Sequence, residues 1–139
     1  MKTVFLSYVF VAVGGALGAS ARFSLNLLLQ RDVDFPWGTL AANLAGCFIM
    51  GIVAHLVANS AWFNASGIIP DQYRLLFAVG FCGSFSTLST VVLEMHTMVE
   101  RSEFLAAGGY LALSVTGGYA LFFLALLMMR GFATGSAGS

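Results

Sequence analysis

A chain of 139 residues, 59% of them hydrophobic and 9% charged, has too little polar surface to coat a water-soluble globule of its size. Six Lys plus Arg balance six Asp plus Glu, so nothing points to nucleic acid or an anionic surface as a partner. With a mean hydropathy of +0.90, the composition describes an integral membrane protein of one domain.

The first apolar segment runs from about Val4 to Leu29 and is interrupted by Arg22. Lys2 before it and the small residues of "ALGAS" imitate a signal peptide, but the apolar character continues beyond Arg22 and no soluble domain follows for export. "QRDVDFPWG" then marks a loop and a new helix start. A second span covers about Thr39 to Val57, followed by an interfacial loop with Trp62 and Tyr73 at headgroup depth. The third runs from about Leu75 to Val99, closed by "ERSE", where Glu100 and Glu103 flank Arg101 in a solvated loop. The fourth runs from about Phe104 to Met129. Each has the roughly 20 residues that a bilayer requires, so the reading is an all-α membrane domain of four transmembrane helices over residues 1–131. Residues 132–139 read as a disordered tail or a remnant of expression.

Charge placement is balanced. With four spans, Lys2, Arg74 and Arg130 share one side, while Arg22, Arg31 and Arg101 share the other. Orientation by the positive-inside rule needs an asymmetry that is missing. Either Arg22 is buried in the bundle and the remaining charges decide, or copies insert both ways and pair antiparallel. Four short helices offer little interior for a pathway of their own, which favours an oligomer.

Several polar positions stand out within the spans. Gly14, Gly18 and Ala21 have the spacing of close helix packing, and Arg22 beside them either lines a vestibule or anchors the interface. In the second span Ala42, Asn43, Gly46 and Gly51 recur near one face. Asn43 serves either as a helix-to-helix hydrogen bond or as an amide donor to a permeating anion. Cys47 and Cys82 lack metal-ligand spacing and read as core residues; His55 and His96 read as interfacial.

The densest anomaly is "GFCGSFSTLSTVVLE", residues 80–94. Gly80 and Gly83 precede Ser84, Ser86, Thr87, Ser89 and Thr90, so helix propensity collapses at bilayer depth. Unwound backbone there is tolerated only where protein buries it or where it lines a cavity. Freed carbonyls suit a hard cation and a restarting half-helix offers N–H groups to an anion. Alternatively, the hydroxyls bond back to the preceding turn and the helix merely bends. Phe81 and Phe85 flank this stretch, and Glu94 beyond it faces a polar interior. In the fourth span Tyr110, Ser114, Gly117 and Gly118 form one stripe with Thr116 beside it, suited to packing or to a hydrogen-bonding track.

Taken in order, "GGALGASARF" (residues 14–23), "GTLAANLAGCFIMG" (38–51), "GFCGSFSTLST" (80–90) with Glu94, and Tyr110, Ser114 and Gly118 resemble the Fluc-type fluoride channels, also called CrcB, across all four spans. The resemblance implies a broken third helix and a dual-topology antiparallel homodimer with two fluoride pathways near the subunit interface. It also implies a central structural sodium ion held by backbone carbonyls, here those of Gly83 and Ser86. Asn43 would contact fluoride. Tyr110, Ser114 and Thr116 would form a polar track, Arg22 would sit at a vestibule, and Glu94 would match the glutamate after the break. The family usually reads "TTFSTF" where this chain has "STLSTV", so Leu88 and Val91 replace two phenylalanines whose ring edges face fluoride.

A small hydrated anion needs donors that replace its water yet release it, and Asn43, Ser89, Thr90, Tyr110 and Ser114 can supply them. No nucleotide-binding motif is present, so flow would be passive, out of the cell across the inner (plasma) membrane. Three alternatives stand beside this reading: a proton-coupled small-solute exporter using Glu94, a diverged subunit with altered or lost conduction, and a subunit that pairs with a homologue. An enzyme is disfavoured, since no nucleophile, base and orienting group appear together.

Overall fold

The structure, a computed structural model, describes residues 2–30, 35–58 and 70–135. Helix α1 covers Lys2–Leu29 and α2 covers Trp37–Ala58. Helix α3, residues 70–85, joins an α-turn Pro70–Tyr73, a π-helical stretch Arg74–Cys82 and a last turn Gly83–Phe85. Helix α4 covers Leu88–Glu100 and α5 covers Phe104–Gly135. Among the described residues, four stretches are long and apolar enough to cross a membrane: Val4–Leu29, Trp37–Ala58, Asp71–Glu100 and Phe104–Gly131. Their outward faces carry Phe5, Leu17, Phe23, Leu105 and Leu127, the surface that hydrocarbon rather than water solvates.

Trp62, Arg31 and residues 136–139 lie outside the described residues. Residues 132–135, read above as tail, continue α5 to Gly135.

Packing follows the small residues. Helix α1 lies along α3, and α2 lies along α5. A Cβ on Gly14 would collide with the Leu76 carbonyl, and one on Gly18 with the Phe81 carbonyl, so the backbones of α1 and α3 touch. Across the other pair, a Cβ on Gly51 would come within 2.5 Å of the Phe122 carbonyl oxygen. Gly118 seats the Cys47 thiol, with Sγ 2.9 Å from where its Cβ would stand.

Helix α3 does not merge into α4. Ser86 (φ −87°, ψ 148°) and Thr87 (φ −151°, ψ 122°) are extended, so the third span is broken by two residues. The break falls after the glycines rather than on them: Gly80 lies in the π-helical stretch, against Gly14, and Gly83 is helical at φ −63°. Both sequence alternatives have a part in it. The Ser86 hydroxyl does bond back to the Cys82 carbonyl at 2.9 Å, yet the helix still ends. Phe81 and Phe85 both precede the break and stack on each other, with ring centroids 5.4 Å apart.

Helix α4 ends in a Schellman motif. Glu103 N–H donates to the Met98 carbonyl and Ser102 N–H to the Val99 carbonyl, both at 2.9 Å, with Ser102 left-handed at φ 63°. A buried cluster of Leu40, Val91, Met98, Ala107 and Tyr110 then ties α2, α4 and α5 together.

Candidate functional site

Broken backbone inside a membrane must find partners, and Asn43 of α2 supplies them. Thr87 N–H donates to Asn43 Oδ1 at 2.7 Å, and Asn43 Nδ2 donates to the Thr87 carbonyl at 3.3 Å. One carboxamide thus pairs with an extended residue as a neighbouring strand would. The Thr87 hydroxyl caps α4 by accepting from Thr90 N–H at 3.4 Å. It also lies 3.1 Å from Ser89 Oγ and 3.2 Å from Thr90 Oγ1. The carbonyl end of α3 is met from α1, where Arg22 Nε donates to the Ser84 carbonyl at 3.2 Å. A guanidinium placed there opposes the partial negative charge of a helix C-terminus.

These bonds divert two N–H groups. In an uninterrupted helix the Thr87 N–H would serve the Gly83 carbonyl, and the Thr90 N–H would serve the Ser86 carbonyl. Here the first goes to Asn43 and the second to the Thr87 hydroxyl. The Gly83 and Ser86 carbonyls, the two expected to hold sodium, are therefore released from helical bonding. Neutral oxygen donors of this kind fit a hard monovalent cation.

Beside the break lies a cleft of about 210 Å³ lined by Asn43, Cys47, Ser86, Thr87, Leu88, Val91, Leu111, Ser114 and Val115. Ser114 Oγ is buried there with no hydrogen-bond partner among the described residues. Leu88 and Val91 both reach this cleft from α4 but differ in setting. Leu88 is 69% exposed at the rim, whereas Val91 is 1% exposed and belongs to the core cluster.

One helical turn away is a second polar layer. Glu94 accepts from the Thr39 hydroxyl at 2.7 Å and from the Tyr110 hydroxyl at 2.6 Å, one donor on each carboxylate oxygen. Thr39 and Tyr110 are fully buried. Thr39 lies four residues before Asn43 on α2, and Tyr110 four residues before Ser114 on α5. The layers are therefore stacked about 6 Å apart along both helices. Val91, which lines the cleft and packs with Tyr110, stands between them.

The structure thus gathers Asn43, Ser86, Leu88, Val91 and Ser114 in one cleft, and Glu94 with Tyr110 next to it. Ser89 and Thr90 serve the cap of α4 instead. Arg22 meets the break from α1. Thr116 does not line the cleft: its hydroxyl bonds back to the Ala112 carbonyl at 2.6 Å, and it lines an adjoining open groove that shares Cys47, Ser86 and Val115 with the cleft. Thr39 and Thr87 escaped sequence reasoning as site residues. Thr39 was findable from its i, i+4 relation to Asn43, and Thr87 as a hydroxyl residue just before an apolar helix.

An α-helical multi-pass membrane protein, with a broken third span wrapped in polar side chains, is the class that these features define. The chain belongs to the CrcB family: residues 9–126 match the model of the CrcB-like proteins, described as "Camphor Resistance (CrcB)". It is 42% identical over 124 residues to a fluoride-specific ion channel FluC of Rhizobium etli, covering 88% of this chain and 94% of the relative. Similar proteins of the same description come from Bordetella petrii, 41% identical over 87% of this chain and 89% of the relative, and from Chlorobium phaeobacteroides, 37% identical over 85% and 88%.

Proposed function

We propose that this protein is a passive, fluoride-selective channel that lets fluoride leave the cell down its electrochemical gradient. The observation that carries the reading is the pair of stacked polar layers, Asn43 with Ser114 and Thr39 with Tyr110 and Glu94, beside a helix break. The names of the relatives supply the ion.

Fluoride is small and strongly hydrated, so a path for it must offer donors in place of water without holding the ion too tightly. A carboxamide has two N–H donors, and Asn43 needs only one for Thr87, which leaves the second to meet an anion in the cleft. The Ser114 hydroxyl, unpaired among the described residues, is the next donor on the same cleft. Tyr110 and Thr39 continue the track but are already committed to Glu94. An ion moving past that layer exchanges places with the carboxylate for those hydroxyls. Arg22 biases the α3 end of the break toward anions.

The balanced charge count supports a dual-topology antiparallel homodimer, or a heterodimer with a homologue, as the working unit. In it the carbonyls of Gly83 and Ser86 would hold a structural sodium ion. Its chemistry there is to offset the clustered carbonyl dipoles next to an anion path.

A second reading, a diverged subunit with reduced or altered conduction, is favoured by the aliphatic side chains of Leu88 and Val91 on the cleft wall. They lack the electropositive ring edge of phenylalanine. Both readings are tested by loading liposomes that contain the purified protein with potassium fluoride or chloride and recording efflux with ion-selective electrodes. Fluoride efflux far above chloride establishes the channel. Absence of fluoride efflux, under conditions where a relative bearing both phenylalanines conducts, sinks it in favour of the diverged subunit.

A further inference from the structure

A cleft of about 410 Å³, away from the helix break, opens between the first turns of α1 and the start of α3, lined by Leu6, Ser7, Phe10, Asp71, Gln72, Arg74 and Leu75. We propose that it binds the headgroup of a phosphoethanolamine phospholipid. Such a lipid would bind here whether or not the protein conducts fluoride.

Depth comes first. Asp71 opens the third span and Val4 the first, so Asp71, Arg74 and Ser7 stand at the headgroup end of the helices. Phe10 lies about 9 Å farther into the first span than Val4, and Leu75 about 6 Å farther into the third than Asp71. Leu6 apart, the polar lining stands above and the apolar lining below, the order of a phospholipid, headgroup over acyl chain. The volume falls within the range of roughly 300–1,000 Å³ typical of small-ligand pockets.

Charge then selects the headgroup. Asp71 and Arg74 are three residues apart, hence neighbours on one helix face, and both are exposed. Among the described residues neither is engaged in an ion pair. One carboxylate and one guanidinium in a single cleft complement a ligand with one cation and one anion. A purely anionic lipid would satisfy Arg74 and be repelled by Asp71. Between the zwitterionic headgroups, a primary ammonium can donate charge-assisted hydrogen bonds to Asp71, and a quaternary ammonium cannot. The latter is typically held by a cage of aromatic rings, and among the described residues that line this cleft Phe10 is the one aromatic. The phosphate falls to Arg74, with the Gln72 amide beside it.

The test is native mass spectrometry of the purified protein in detergent, titrated separately with dioleoyl-phosphatidylethanolamine, -phosphatidylcholine and -phosphatidylglycerol. Phosphatidylethanolamine adducts are expected to exceed each of the others roughly fivefold, as for a partly exposed ion pair worth about 1 kcal/mol. The substitution D71N should erase most of that excess, R74Q should lower the adducts of all three lipids together because each carries the phosphate, and H96Q, remote from the cleft, should change neither. Equal retention of all three lipids would overturn the proposal, because acyl contact alone would then explain binding. A preference for phosphatidylglycerol would overturn it too, as would an ethanolamine preference that survives D71N or lipid adducts that R74Q leaves unchanged.

Discussion

Asn43 and Thr87, 44 residues apart in the chain, hold each other by two opposed hydrogen bonds of 2.7 and 3.3 Å across the break in the third span. The same carboxamide lines the cleft, so scaffold and proposed path share one side chain. Asn43→Leu should strand both Thr87 backbone groups and lower stability in detergent by about 1–3 kcal/mol for each. Asn43→Asp keeps an acceptor for the Thr87 N–H but has no amide donor for an anion. It should therefore retain more stability than Asn43→Leu while losing fluoride efflux. Thermal unfolding and liposome efflux on the two variants separate the roles; equal damage to both properties in both variants would leave Asn43 purely structural.

Glu94 is the second joint, bonded by Thr39 from α2 and Tyr110 from α5. Removing either hydroxyl, in Thr39→Val or Tyr110→Phe, should destabilise by about 1.5–3 kcal/mol, the range for hydrogen bonds to charged groups. The double variant should lose more than the sum, because one remaining donor still solvates the carboxylate and none does not. Denaturant titration of the full cycle reads this coupling directly. Strict additivity would mean that the two bonds act as independent braces.

Sequence pattern reached the spans because apolar runs bounded by charge clusters have few other interpretations in a chain so hydrophobic. Helical period alone put Tyr110 and Ser114 on one face, whereas Leu88 and Val91 on the cleft wall were reached through the family resemblance. The position of the break was less accessible. Gly80 and Gly83 drew attention to themselves, yet Gly80 is required where α1 presses against α3, with Val11 O and Gly14 Cα 2.9 Å from its Cβ position. What ends the helix is an amide arriving from α2, a contact between distant parts of the chain that no local window contains. The difference between Leu88 and Val91 was hidden for a similar reason. Both belong to the first turn of α4, but α2 and α5 bury only one of them.

Ser102 pays for the sharp turn between α4 and α5. It adopts φ 63°, a conformation that costs a side chain about 1–2 kcal/mol and glycine almost nothing. Since the position is exposed and its backbone N–H bond to Val99 does not involve the side chain, Ser102→Gly should stabilise the protein by roughly 1 kcal/mol. Thermal unfolding should move upward, with fluoride efflux unchanged. A downward shift would show that the serine hydroxyl makes a compensating contact in the membrane-embedded protein.

Leu88 and Val91 predict an asymmetric response to enlargement. Leu88→Phe adds a ring at an exposed rim and should leave stability within about 0.5 kcal/mol of the parent. Val91→Phe forces a ring into a site already filled by Leu40, Met98 and Tyr110, and overpacking of this kind typically costs about 1–3 kcal/mol. Pressure from that ring bears on Tyr110, and through it on Glu94. If ring edges at these positions assist the anion, Leu88→Phe alone should raise fluoride efflux relative to chloride. Val91→Phe should raise it only in protein that stays folded. Efflux scaled to the folded fraction, measured by size-exclusion chromatography before reconstitution, distinguishes these effects. No gain from Leu88→Phe, alone or with Val91→Phe, would mean that the aliphatic wall does not limit conduction in this chain and that Asn43 and Ser114 suffice.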